Sequence, residues 1–132
     1  MKVLTLQEPW ASLIAEKIKV IETRSWHTNY RGQIYIHAGI KKISKNDNLK
    51  LYCSTWLKNG LHYGKIIAKC NIIDCILIDK NFANKIKNND NKCYLCGDFS
   101  IGRYAWILDN IEVLPKQIYA KGQLGLWNYK GE

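Results

Sequence analysis

The stretch Lys17-Ile18-Lys19-Val20-Ile21-Glu22-Thr23-Arg24 sits where the sequence pattern changes from helix to strand. Before it, apolar residues recur every three or four positions, which predicts an amphipathic helix from Pro9 to around Lys17–Lys19. The residues of this helical stripe are Trp10, Leu13, Ile14 and Ile18. Inside the stretch the period becomes two, so Glu22 and Arg24 share one face of a strand and are close enough to pair.

Strand patterns dominate the remaining chain. A second amphipathic helix is expected over Leu49–Leu57, after a capping-box pattern that begins at Ser44. The polar segment Lys80–Gly97 is expected to hold one helical turn and a mobile loop at Asn88–Asn91. The predicted strands are Val3–Leu6, Val20–Trp26, Gln33–Ala38, Lys65–Ile78 with a bend near Asp74, Arg103–Leu114 ended by Pro115, Ile118–Ala120 and Leu124–Trp127. Together they predict a curved or closed β-sheet with two or three helices.

Length and composition favour one domain over residues 1–132, with 47% hydrophobic and 23% charged residues. The apolar runs are too short for a membrane span, and the N-terminus does not have the pattern of a secretory signal. We therefore expect a cytoplasmic protein with no membrane association. Its oligomeric state does not follow from the sequence.

The net charge of +9 predicts a polyanionic partner, and nucleic acid is the usual one. The alternative is compositional bias, because the chain uses 17 lysines against three arginines, as AT-rich coding DNA would favour. Charge alone does not separate these two explanations.

The five cysteines argue against a disulfide framework, because their number is odd and no export signal precedes them. Cys93 and Cys96 have zinc-ligand spacing, but no second pair completes a four-ligand site. No phosphate-binding glycine loop is present. We expect reduced structural thiols, no metal and no cofactor.

Several ordered blocks resemble the activating signal cointegrator homology (ASCH) domain, a branch of the PUA-like superfamily. The hallmark of that family is Gly-x-Lys-x-x-Glu-x-Arg, which Lys19, Glu22 and Arg24 match, whereas Lys17 replaces the glycine. The other matching blocks are Gln7–Ile14, Arg24–Trp26, Tyr30–Gly32, Ile36–Ala38, Gly97–Ser100, Gly102–Trp106 and Gly125–Trp127. The resemblance covers essentially the whole chain. It is similar to small stand-alone members of bacteria and phages, and to the domain at the end of eukaryotic transcription coactivators.

The resemblance implies an α+β fold, mainly β: a PUA-like β-barrel with two or three flanking helices and a cleft beside the first helix. The ligand it implies is RNA, in preference to DNA, or a nucleotide-like molecule. Some small family members are enzymes, among them an N4-acetylcytidine amidohydrolase and reported ribonucleases. The amidohydrolase pattern has a threonine at the position of Glu22 and adds a distant glutamate, so only Lys19 maps onto it.

Six residues are candidate nucleic-acid contacts: Lys19, Arg24, Trp26, Arg31, Arg103 and Lys121. The cations would make salt-sensitive phosphate contacts, and the tryptophan would stack on a base. Each has a structural alternative. The arginines beside glycine turns can cap exposed carbonyls, the tryptophan can lie in the core, and Arg24 can simply pair with Glu22.

The leading hypothesis is a nucleic-acid-binding domain that prefers RNA or single strands. The alternative is a small hydrolase of a modified nucleoside or RNA, with Lys19 and Glu22 as catalytic residues and Asp74 or Asp98 as a third group. A third class is a pure interaction module, which would carry an uninterrupted apolar patch instead.

Overall fold

A computed structural model describes residues 1–131 and shows a mixed α+β fold built mainly from strands. Its strands are β1 Lys2–Leu6, β2 Ile21–Arg24, β3 Gly32–Ala38, β4 Lys65–Leu77, β5 Tyr104–Tyr119 and β6 Leu126–Asn128. Its helices are α1 Trp10–Ala15, α2 Asn48–Ser54, α3 Lys80–Asn89 and α4 Asn91–Leu95. None of these helices has the length and apolarity needed to cross a membrane. The predicted mixed class, mainly β, is confirmed.

The strands form one sheet in the order β2-β5-β4-β3-β1-β6. Strands β1 and β3 pair in parallel, and all other neighbouring pairs in this sheet are antiparallel. The sheet curls into a half-barrel, as expected of a PUA-like barrel, and β2 and β6 are its two edges. Helix α1 packs on the sheet over β3, β4 and β5.

The curl of the sheet arises in the long β4–β5 ribbon, whose register shifts at three places. The shift between Ile72 and Asp74 confirms the bend predicted there, because an extra residue on one strand bends and twists it. The predicted end of the fifth strand at Leu114 is wrong. Strand β5 continues through Pro115 to Tyr119, and the register shift between Ile66 and Ala68 accommodates a residue that has no N–H for the ladder.

Helix α1 is shorter than the apolar spacing predicts, because Pro9 is its N-cap and a C-terminal turn stops it after Ala15. The N–H of Lys17 bonds to the carbonyl of Ile14 (2.9 Å), and that of Ile18 to the carbonyl of Leu13 (3.0 Å). This is a Schellman motif, in which the residue after the C-cap takes the left-handed conformation. Lys17 does so with φ = +63°. The chain thereby leaves the helix towards β2.

Aspartates cap the other three helices. Asp47, and not Ser44, is the N-cap of α2, with its side chain accepting from the N–H of Lys50 at 3.1 Å. The segment predicted to hold one turn and a loop forms α3 and α4 instead. Asp79 caps the first of these helices, and Asp90 caps the second at the place where a loop was expected. Residues 1–131 therefore carry four helices where two or three were expected.

A buried histidine joins β3 to the segment before β6. His37 Nε2 lies 2.7 Å from the carbonyl oxygen of Ala120, which can only accept, so Nε2 carries the proton. Its Nδ1 then accepts from the Thr5 hydroxyl (3.1 Å), which in turn accepts from the indole N–H of Trp127 (2.9 Å). Burial lowers the pKa of His37 below its ordinary value of 6.5. His37 is therefore a hydrogen-bonded histidine within a strand.

We expect the free energy of unfolding to fall as the pH drops below about 6.5. Above that pH the ring of His37 is neutral in both states, and below it the unfolded chain takes up the proton first. In His37→Gln this part of the pH dependence should disappear, whereas the exposed His27→Asn control should keep it. Urea unfolding between pH 7.5 and 5 measures the slope, and an unchanged slope in His37→Gln would show that the linkage lies elsewhere.

The strained turn after α1 gives a second prediction. A side chain in the left-handed region costs roughly 1–2 kcal/mol, part of which glycine gives back through the entropy of the unfolded chain. Lys17→Gly should therefore raise the free energy of unfolding by about 0.5–1 kcal/mol. Lys17→Ala removes the same long side chain but keeps Cβ, so it should give no gain. Thermal denaturation of the three proteins tests this, and equal gains in both variants would refute it.

Candidate functional site

The turn after α1 delivers Lys19 into the interior, where its side chain is only 1% exposed. The ammonium donates to the carbonyl oxygen of Cys96 at 2.8 Å and lies 3.4 Å from Oε1 of Glu22. The ring centroid of Trp10 is 5.8 Å away. A buried cation needs such partners, because its desolvation is otherwise costly. Lys19 thus fixes the α4–β5 connection against the start of β2.

Glu22 links this buried cation to a more accessible one. Its Oε2 lies 3.4 Å from Nη1 of Arg24, so the predicted ion pair along β2 is present. The guanidinium carbon of Arg24 lies 5.5 Å from the ring centroid of Trp26, within cation–π range. Trp26 is 37% exposed and meets the buried ring of Trp106 edge-on, with the centroids 4.7 Å apart. The structure therefore presents an arginine and a tryptophan side by side.

The segment after α4 lies against β2 and forms a wall of the site. The N–H of Asp98 donates to the hydroxyl of Thr23 at 3.0 Å, and Arg103 donates to the carbonyl oxygens of Thr23 (3.3 Å) and Asp98 (3.2 Å). A Cβ at Gly97 would lie 3.3 Å from the side chain of Thr23 on β2 and 2.9 Å from the ring of Phe99, so glycine lets this wall lie close against β2. The wall is therefore packed directly on the hallmark strand.

Two adjoining cavities lie along β2, and the segment after α4 is a wall of the first of them. The narrower one, about 240 Å³, is lined by Lys19, Asp98 and Arg103 among others. The wider one, about 420 Å³, is lined by Arg24 and by the segment before β6. They share Trp10 and Glu22, so we treat them as one cleft. Ligand pockets commonly measure about 300–1,000 Å³, which the two together reach.

The cleft lies at the gap between the edge strands β2 and β6 of the half-barrel, which we call the seam. The wider cavity has β2 on one side, through Glu22 and Arg24, and residues Gln123–Gly125 leading into β6 on the other. These strands are the two edges of the sheet, and α1 reaches into the gap through Trp10. The His37 network holds the β6 side by fixing Ala120.

A sequence profile of the ASCH domain matches residues 4–119. The chain belongs to the ASCH domain family. The matched region includes the whole hallmark stretch and both walls of the narrower cavity.

Two curated relatives are similar to nearly the whole chain. The sequence is 27% identical to activating signal cointegrator 1 of Homo sapiens over 132 residues, which covers 94% of this chain and 21% of that protein. It is 26% identical to activating signal cointegrator 1 of Mus musculus, with the same coverage. The chain thus spans about a fifth of the length of these relatives.

The geometry gives each position of the ASCH hallmark a physical role. The first position, Lys17 here, takes a left-handed conformation, which explains why the family's pattern has glycine there. Lys19 supplies the buried cation, Glu22 is its counter-ion, and Arg24 extends the pair into the cleft. The spacing of the hallmark follows from the local structure: Lys17 lies in the turn that ends the helix, and Lys19 follows it. Glu22 and Arg24 share one face of β2.

The structure brings part of the predicted site together. Lys19, Glu22, Asp98 and Arg103 line the narrower cavity, Arg24 lines the wider one, and Trp26 lies beside Arg24.

Three other candidates line neither cavity. Arg31 donates to the carbonyl oxygens of Thr28 (2.9 Å) and Tyr30 (3.0 Å), the capping role considered as its alternative, and lies 3.7 Å from Asp74. Asp74 lies in this ion pair and does not line the narrower cavity, so it is not the third group beside Lys19 and Glu22. Lys121 is exposed on the segment before β6. Whether any of the six contacts a ligand stays a prediction.

Some residues of the cleft are not among the candidates predicted from the sequence. Gln7 and Thr23 line the cleft, and Trp10, which its helical spacing assigned to the core, is half-buried at its centre. Gln7 and Trp10 belong to a block that matched the family, so a signal existed. Leu124, 98% exposed at the rim of the wider cavity, carries no such signal.

The cysteines make no metal site, because residues 1–131 contain no cluster of three or more ligating side chains. Cys53, Cys93 and Cys96 are buried, and burial raises the pKa of Cys96 to about 12. The thiols near Lys19 are therefore poor nucleophiles at neutral pH.

We expect Lys19→Met to lower the free energy of unfolding by roughly 3 kcal/mol, because it leaves the buried Glu22 with only the more exposed Arg24 as a charged partner. The double variant Lys19→Met/Glu22→Gln removes both charges and should lose less than the sum of the two single variants, by about 1–2 kcal/mol. Urea denaturation of the four proteins closes the cycle. Strict additivity would mean that the two side chains do not depend on one another.

Proposed function

We propose that the cleft binds single-stranded nucleic acid, with RNA preferred to DNA. The observation that carries this proposal is that Arg24, which lines the wider cavity, has the partly exposed ring of Trp26 beside it. A guanidinium can hold a phosphate by two parallel hydrogen bonds, and an exposed indole can stack on a base. Single strands offer both groups to one site, whereas a duplex hides its base faces.

The remaining cleft residues fit distinct parts in such a complex. Arg103, with its side chain 30% exposed, can reach a second phosphate from the opposite wall. Lys19 is too buried to contact a phosphate directly, so it contributes only a positive potential at the floor of the narrower cavity. Gln7 and Glu22 can then hydrogen-bond the edge of a base that enters the seam.

The charge and the family support the same ligand. The net charge of +9 favours a polyanion, and the PUA-like fold of the ASCH family is often linked to RNA binding. We propose that the chain acts as one domain and in the cytoplasm. Its likeness to stand-alone bacterial and phage members stays a prediction.

The test is a titration of labelled single-stranded RNA, single-stranded DNA and duplex DNA at low and physiological salt. Arg24→Ala should weaken RNA binding and reduce the slope of log K against log salt by about 0.7, the value for one phosphate on a single strand. Trp26→Ala should cost roughly 1–3 kcal/mol with little change in slope, because stacking releases no counterions.

Arg31→Ala is the matched control, since it removes the same charge outside both cavities. If Arg31→Ala and Lys121→Ala weaken binding as much as Arg24→Ala, the charge acts diffusely and the cleft proposal is wrong. Equal affinity for duplex DNA would also contradict it.

One observation favours a hydrolase as the second candidate. Lys19 and Glu22 lie 3.4 Å apart in a cavity that also holds Asp98. Hydrogen bonds from Ser100 and the charge of Arg103 hold the pKa of Asp98 below its usual value, which makes it a weak base. Incubation with N4-acetylcytidine and with RNA tests this candidate. Turnover that Lys19→Ala abolishes, with binding retained, would favour the enzyme over the binding domain.

A further inference from the structure

A second aromatic surface leaves the cleft along α2. Leu49 lines the narrower cavity, Tyr52 follows three residues later, and Trp56 follows four residues after that. Leu49 and Tyr52 lie three residues apart on one side of α2. The ring of Trp56, in the turn that follows the helix, lies beside that of Tyr52, so these side chains form a continuous stripe. We call Leu49, Tyr52 and Trp56 the α2 stripe.

The stripe is joined to the cleft wall by packing. Trp56 and Trp10 both pack against the buried cluster of Leu13, Cys53 and Cys96. The carboxylate of Glu16 accepts from the backbone N–H groups of Lys58 (2.9 Å) and Asn59 (3.0 Å), shortly after the stripe. The aromatic surface is therefore held in a fixed position relative to the cleft.

The stripe exposes the groups that a single strand requires. Tyr52 is 57% exposed and meets Trp56 edge-on, with the centroids 5.3 Å apart. The ammonium of Lys92, from α4, lies 5.3 Å from the ring centroid of Trp56. Among the described residues, no carboxylate oxygen lies within 4 Å of the ammonium group of Lys92 or of Lys58, two residues after Trp56, so both charges are available to phosphates.

We propose that the α2 stripe, flanked by Lys58 and Lys92, is a second subsite for the single-stranded RNA that enters the cleft. One or two bases stack on Tyr52 and on the open part of Trp56, and the lysines contact the phosphates between them. The stripe therefore offers places for one or two nucleotides beyond the cleft. This inference rests on the proposed function and extends its site.

The experiment compares a labelled RNA trinucleotide, which fills the cleft, with an octanucleotide of the same base composition. The native protein should bind the octanucleotide at least tenfold more tightly. Tyr52→Ala should reduce octanucleotide affinity by about tenfold and leave trinucleotide affinity unchanged, whereas Tyr52→Phe should behave as the native protein. Lys92→Met should lower the salt dependence for the octanucleotide alone. Both changed side chains are on the surface, so folding is preserved.

Tyr119→Ala is the matched control. Tyr119 is 76% exposed and has Lys65 5.0 Å from its ring centroid, yet it lines neither cavity. It should leave both affinities unchanged. If Tyr52→Ala and Tyr119→Ala have equal effects, the stripe is not a subsite.

The outcomes also separate this proposal from the one it rests on. Trinucleotide binding that depends on Arg24, with no gain for the octanucleotide, would overturn the stripe and keep the cleft. Failure of both oligonucleotides to bind would overturn both. A length effect that survives Tyr52→Ala would place the extra nucleotides elsewhere on the protein.

Discussion

The buried ammonium of Lys19 is the interaction on which the site depends. It meets a carbonyl from the α4–β5 connection and a carboxylate from β2, two segments that are far apart in the sequence. A cation that is only 1% exposed is costly to bury without such partners. The lysine therefore holds both segments next to it. Lys19 and Glu22 also line the narrower cavity, so the structural anchor and the candidate site share residues.

A half-barrel with an open seam explains why the candidate binding residues gather where they do. Closing the sheet would have paired β2 with β6 and covered Arg24. Instead Trp10 of α1 reaches into the gap, and the Thr5–His37–Trp127 network fixes the β6 side. The edge of a sheet normally invites pairing with another chain. Here the edge strands are short and lie against the cleft walls.

The sequence predicted the strands and the hallmark pairing well, because period-two alternation and i,i+2 proximity are local properties. The sequence prediction failed where a feature outside the hydrophobic pattern decided the structure. Asp90 turned an expected loop into a helix start, and a register shift let β5 pass through Pro115. It placed Arg24 and Arg103 in one site only through the family resemblance. The burial of Lys19 depends on a carbonyl 77 residues away, which no local pattern reports.

The cleft draws residues from both ends of the chain, from Thr5 to Gly125. No fragment that lacks either end contains the complete site, so the unfolded chain has no partial version of it. A ligand that needs the complete cleft consequently binds the folded state, and it raises the free energy of unfolding by an amount set by the ratio of its concentration to the dissociation constant. At a concentration one hundred times the dissociation constant that gain is about 2.7 kcal/mol. Occupancy of the seam therefore makes the fold more resistant to unfolding.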